Sequence, residues 1–253
     1  MQGIDPAHCL AKKEQNFQWD IDALSGMAKG ADLVFLCNPN NPTGVLTPKD
    51  KIVHLLKRHP NTCFVVDESY LPFVDNAQDF SLVSDTYYPN LLVLSSMSKI
   101  FRIPGLRTGF LSGAVPLIDK VMGHYQPWSV NSLAQEVITD IFAHPETIEP
   151  FYEQTRVYIR KEKQVFTQAL QGIPGISLVD GSTYFILAEL DRMTAPDFCR
   201  AIGRDKILIR DCGNFHGLSD RFVRFSLKTR EINLALADSI KKGLAPWRTA
   251  DHV

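Results

Sequence analysis

Three short segments of this 253-residue chain carry side chains able to do chemistry, and each follows an apolar run. Ser95-Ser96-Met97-Ser98-Lys99 follows residues 91–94, with Gly105 and Arg107 shortly beyond the lysine. Hydroxyls and a guanidinium so grouped suit a phosphate, and the amine is a nucleophile or base. Asp67-Glu68-Ser69-Tyr70 follows residues 63–66. An acid at the end of a buried run is costly unless it meets a cation. Asn38-Pro39-Asn40-Asn41-Pro42-Thr43-Gly44 follows residues 33–37 and makes a rigid polar turn whose amides can face a ligand. Taken singly, these segments also read as a plain turn, a capped or salt-bridged acid and a solvated lysine. Taken together, in one order after separate strands, they make a complete site for an anion and a pyridine ring.

The runs 33–37, 63–66, 91–94 and 108–111 are compact and aliphatic, as expected of strands covered on both faces. They alternate with helical patterns, the signature of an α/β fold, so chemistry is expected at the strand ends. Thr47-Pro48 reads as an N-cap and first helical residue of a helix running to Arg58, with Ile52, Leu55 and Leu56 on its apolar face. Residues 132–143 and 147–171 read as helices, the second wet along Arg156, Arg160, Lys161 and Lys163. Residues 184–189, 207–210 and 222–227 read as strands, and 231–242 as a closing helix that stops before Gly243. The expected division is a large domain over 1–150 and a smaller α+β domain over 151–253. Residues 1–7 have no periodicity.

Composition narrows the partners. Lys and Arg total 27 against 28 acids, which gives no field for nucleic acid. No run is long and apolar enough for a membrane span, and no leader pattern follows Met1. Five cysteines, odd in number and without a C-x-x-C pair, argue against a disulfide framework or a metal site and fit a reducing cytoplasm. The expected partners are a small molecule and a second copy of the chain.

The motifs C-N-P-N-N-P-T-G, V-V-D-E-S-Y and S-M-S-K followed by Arg107 resemble those of the class I/II aminotransferases of the aspartate-aminotransferase fold (fold type I). Within that family they resemble the branch of histidinol-phosphate aminotransferase and threonine-phosphate decarboxylase. The resemblance runs from about residue 15 to 243. It implies a large domain with a mostly parallel sheet, a small C-terminal domain, a homodimer and pyridoxal 5'-phosphate as cofactor. It further implies that Lys99 holds the cofactor as a Schiff base and Asp67 pairs with its ring nitrogen. Asn41 and Tyr70 would bond its phenolic oxygen, and Ser96, Ser98 and Arg107 would hold its phosphate. A carboxylate beside the ring nitrogen keeps it protonated and the ring an electron sink.

The segment from Ile207 to Leu218, with Arg221, Arg224, Lys228 and Arg230, resembles the decarboxylase version of this region. By that resemblance Arg224 takes the substrate's carboxylate and Arg210 its phosphate, with Asn41 also facing substrate and Arg230 assisting; a surface salt bridge is the alternative for Arg230. The implied reaction is decarboxylation of L-threonine O-3-phosphate, a cobalamin-pathway step. The alternatives are transamination of histidinol phosphate and a non-catalytic binding protein on the same fold. Family members also carry an N-terminal segment that nothing before Phe17 matches. A chain without it is expected to bind cofactor weakly, turn over poorly and expose apolar surface.

Overall fold

Asp67 reaches the rim of a sheet because three apolar stretches of even length run side by side in one direction. The computed structural model describes residues 5–245; residues 1–4, part of the unpatterned opening, lie outside it. Two compact units divide the chain. The first holds residues 20–41 and 45–157, and the second holds residues up to Trp19, Pro42–Gly44 and those from Tyr158 on.

In the first unit α1 (Ile21–Ala28) precedes β1 (Leu33–Cys37), and α2 (Lys49–Arg58) links it to β2 (Cys63–Asp67). After a run of 3-10 turns come β3 (Leu91–Ser96), the short α3 (Met97–Ile100) and β4 (Gly109–Gly113). The order is β1-β2-β3-β4, with the first three parallel and β4 antiparallel to β3. Parallel neighbours need a crossover, and α2 supplies it by burying Ile52, Leu55 and Leu56. Asn90 fastens the approach to β3, its amide donating to the carbonyls of Leu56, His59 and Thr62 at 3.1, 3.0 and 3.2 Å. α4 (Val115–Met122) and α5 (Ser132–Ala143) follow, and α6 (Pro145–Leu170) passes from the first unit into the second.

The second unit is an antiparallel sheet packed against helices. β5 (Ile176–Leu178), β6 (Phe185–Leu190), β7 (Arg210–Asp211) and β8 (Phe222–Ser226) lie in the order β5-β6-β8-β7. α7 (Ala195–Gly203) and α8 (Arg230–Leu244) join α6 in covering a core of Phe166, Ile186, Phe198, Val223, Phe225 and Ile240.

Several expectations from the sequence need correction. The outer strands are not covered on both faces: Leu33 and Phe35 of β1 are 55% and 58% exposed, and Phe110 of β4 is 41% exposed. Aliphatic content marks a strand but does not say whether it is an edge. Thr47 is not the cap of α2; Pro48 occupies that position without a side-chain bond, and Thr47 uses its backbone to grip Asn38. Instead of a strand over 207–210, only Arg210 and Asp211 pair, because Ile207 and Ile209 pack on the core from irregular backbone. Gly243 does not stop α8. It lies inside the helix, where a Cβ would come within 3.3 Å of Ile202 and 3.4 Å of Phe198, so the glycine lets α8 approach α7.

Candidate active site

The parallel register sets Cys37 beside Asp67 and Asp67 beside Leu94. All three motifs therefore leave the sheet at one edge, where parallel strands present ligand-binding loops.

The first motif supplies scaffold before it supplies chemistry. Asn38 is buried, with Oδ1 accepting from Thr47 N–H at 2.8 Å and Nδ2 donating to Thr47 O at 2.9 Å. Its own N–H donates to Asp67 O at 2.9 Å, tying the turn to β2. The Asn41 backbone N–H donates to Cys37 Sγ, and the Asn41 side chain is half-buried. Burial, with the Asp67 charge adding to it, pushes the Cys37 thiol up to about 12.

The two adjacent acids have different surroundings. Glu68 is buried, accepting Ser81 O–H at 2.8 Å and Leu82 N–H at 2.6 Å, and burial raises its carboxyl above the usual range. It pins the excursion that carries Tyr70. Asp67 is half-buried, accepts Ser69 N–H at 2.9 Å, and has no ion pair among the described residues. With Ser69, Ser95, Ser96, Gly109 and Phe110 it lines a cavity of about 320 Å³.

Ser96 caps α3, its Oγ accepting Ser98 N–H at 3.2 Å, while Ser98 itself is buried. The turn exposes Lys99, whose Nζ stands 5.8 Å from the Tyr70 ring centroid. Lys99 has no ion pair among the described residues. Arg107 is exposed in a left-handed conformation with Nη1 donating to Pro104 O at 3.3 Å. The structure thus joins Asp67 to Ser96 through the cavity and Lys99 to Tyr70 directly, but Lys99, Tyr70, Asn41 and Arg107 do not line that cavity.

Gly109 gave no signal in the sequence. Its missing side chain lets β4 close on β3, since a Cβ there would sit 2.6 Å from Ser95 O. Only its place opposite Ser96 in the register reveals the role. A larger cavity of about 580 Å³ also touches Ser95 and Ser96, and apolar Leu71, Met97, Ile100 and Phe142 line much of it.

In the second unit Arg210 and Arg224 face each other across β7 and β8. Like charges directly opposite are unfavourable, and the two guanidiniums rest over different rings. Arg224 lies 4.8 Å over the Phe185 ring, whereas Arg210 lies 5.6 Å over Phe215 and donates to Asn214 Oδ1 at 2.9 Å. Arg230 is engaged elsewhere: Nε and Nη2 each stand 2.8 Å from Oε1 of buried Glu162. It holds α8 to α6, and the salt-bridge alternative describes it. Thr43 and Gly44 pack on Gly181 and Thr183, so the end of the first motif belongs to this unit.

Among the described residues no His, Cys, Asp and Glu group is arranged to hold a metal, and no helix is long and apolar enough to cross a membrane. None of the five cysteines forms a disulfide.

The profile of the aminotransferase class I and II family matches residues 1–240. Threonine-phosphate decarboxylase of Salmonella typhimurium is 30% identical over 88% of this chain and 61% of its own length. Histidinol-phosphate aminotransferase of Symbiobacterium thermophilum is 33% identical over 94% of this chain and 64% of its own. The crystal structure of L-threonine-O-3-phosphate decarboxylase from Porphyromonas gingivalis superposes with a TM-score of 0.74 at 32% identity, covering 83% of this chain and 64% of that one. The chain therefore spans less than two thirds of the curated relatives it matches.

Members of the family use pyridoxal phosphate, and the donor set here fits that group. A cavity-lining carboxylate without a cation suits a ring N–H, an exposed unpaired amine suits an aldehyde, and serine hydroxyls suit a phosphate. The chain belongs to the class I and II aminotransferase family of pyridoxal-phosphate enzymes.

Proposed function

We propose that the protein to which this chain belongs decarboxylates L-threonine O-3-phosphate, with pyridoxal 5'-phosphate as cofactor. The observation that carries this reading is the pair Arg210 and Arg224, opposite each other on neighbouring strands with their guanidiniums over different rings, which supports a substrate bearing two anions. Arginine's planar fork suits both carboxylate and phosphate.

The bound cofactor supplies an electron-withdrawing ring that accepts the electron pair left at the substrate's Cα. Asp67 holds a proton on the ring nitrogen, and Ser96, Ser98 and Arg107 hold the phosphate. Tyr70 and Asn41 hold the phenolic oxygen. Lys99 would hold the cofactor covalently, and its Nζ would act as the general acid that returns a proton to Cα. Arg224 orients the departing carboxylate and Arg210 anchors the phosphate end.

The second reading, transamination of histidinol phosphate, draws on the comparable identity of relatives of both names, 30% and 33%. One fold serves both reactions. The test is product analysis. Carbon dioxide and 1-amino-2-propanol phosphate from L-threonine O-3-phosphate, without a keto-acid acceptor, are expected. Consumption of histidinol phosphate strictly dependent on 2-oxoglutarate, with no carbon dioxide released, would replace decarboxylation by transamination.

A further inference from the structure

The second unit includes an arm, irregular apart from a 3-10 turn at Lys13–Gln15, that reaches the loop carrying the partners of Arg210. Phe17, at a left-handed turn, is buried edge-on to Phe222 of β8 with ring centroids 6.0 Å apart. Lys13 is ion-paired with Glu189 of β6. From these anchors the arm runs on to the loop of residues 212–218. The ring of His8 stacks on His216 at 3.9 Å and 20°. Leu10 lies against Gly217, where a Cβ would come within 3.1 Å of its side chain. Gly217 also has φ +82°, so two constraints exclude a side chain there.

The loop is bonded within itself: Gly213 N–H donates to Asp211 Oδ1 at 2.8 Å, Phe215 N–H to Cys212 O at 3.0 Å and Leu218 N–H to Phe215 O at 3.1 Å. Asn214 and Phe215, which fix the Arg210 guanidinium, lie between that internal frame and the two residues that the arm covers. We propose that residues 5–19 form a strap that positions Arg210 from outside the site, so that His8 and Leu10 are positioning residues for recognition of the substrate's phosphate. This rests on the reading of Arg210 as an anion contact. A guanidinium aimed by a ring and an amide loses affinity when their loop moves, because its fork must meet the oxygens in one plane.

The test compares the wild-type chain, the double variant His8→Ala/Leu10→Ala, and Arg210→Ala. The double variant keeps the fold because His8 is exposed and Leu10 is 48% exposed. Hydrogen exchange at residues 213–218 should quicken in it. The Kd for L-threonine O-3-phosphate, measured by calorimetry, should rise about three- to tenfold, with kcat changed less than about twofold where turnover is measured. Leu10→Met, which keeps the contact with Gly217, should stay near wild type. Unchanged exchange and unchanged Kd in the double variant, while Arg210→Ala weakens binding, would overturn the strap alone. If Arg210→Ala leaves Kd unchanged, the phosphate role of Arg210 falls and the strap's role in binding falls with it.

Discussion

Replacing Glu162 by glutamine should destabilise the protein nearly as much as replacing it by alanine, although glutamine keeps the shape. Glu162 is 2% exposed; its Oε1 accepts from Arg230 and its Oε2 accepts Asn233 Nδ2 at 2.9 Å. Both neighbours donate, and a carboxylate can accept from both, whereas glutamine offers one oxygen and one N–H₂. Asn233 cannot turn over to help, because its Oδ1 accepts Lys228 N–H at 2.7 Å and its Nδ2 also donates to Lys228 O at 3.1 Å. One donor must then face another donor in a buried place, at a cost of about 2 kcal/mol. Alanine loses the whole carboxylate, and about 3 kcal/mol follows after discounting Arg230, whose side chain is 51% exposed and regains water. In urea this is a fall in midpoint of roughly 1 M. The Arg230 bond, and then Asn233, hold the Glu162 carboxyl below its usual range against the effect of burial. The stabilisation is therefore present above the unfolded value of about 4.3 and is lost as pH falls through the lower folded value. Urea unfolding of wild type, Glu162→Gln and Glu162→Ala between about pH 3 and pH 7 measures it. A glutamine variant that unfolds at the wild-type midpoint near neutrality would refute the reasoning.

The other acid makes the opposite prediction: burial raises the Glu68 carboxyl, so its contribution is greatest below the unfolded value and is lost as pH rises through the folded one. Glutamine there can accept Leu82 N–H and donate to Ser81, so Glu68→Gln should be at least as stable as wild type near pH 7 by urea unfolding, where Glu68→Ala loses about 2 kcal/mol. Gly109→Ala must push β4 off Ser95, costing about 1–3 kcal/mol and weakening retention of pyridoxal phosphate, read by thermal unfolding and absorbance. At about pH 8 a thiol reagent should label exposed Cys9 promptly and spare Cys37 and Cys212 until denaturant is added. The latter two are pushed up to about 12 and about 11 by burial. Prompt labelling of Cys37 in the folded chain would contradict its environment.

The strand-end placement of the motifs was legible in the sequence because a parallel strand is an apolar run with its loop at the carboxyl end. Asp67, Tyr70 and Lys99 follow such runs and share one edge of the sheet. Pairwise geometry was not legible. Asp67 and Glu68 are adjacent and chemically alike, and only the fold, which brings Ser81 and Leu82 back to Glu68, tells them apart. Arg230 and Arg224 look alike in sequence, yet Glu162, 68 positions from Arg230, occupies the former. Glycines misled in both directions, with Gly243 suggesting a helix end and Gly109 suggesting nothing. Their purpose is close approach of elements distant in sequence, which local pattern does not encode.

The most direct test of the account is an absorbance titration with pyridoxal phosphate of the wild-type chain and of Lys99→Ala. The account predicts a visible-range band in the wild type that shifts when L-threonine O-3-phosphate is added and is absent from Lys99→Ala. The same band in both proteins would contradict the assignment of Lys99 as its covalent anchor.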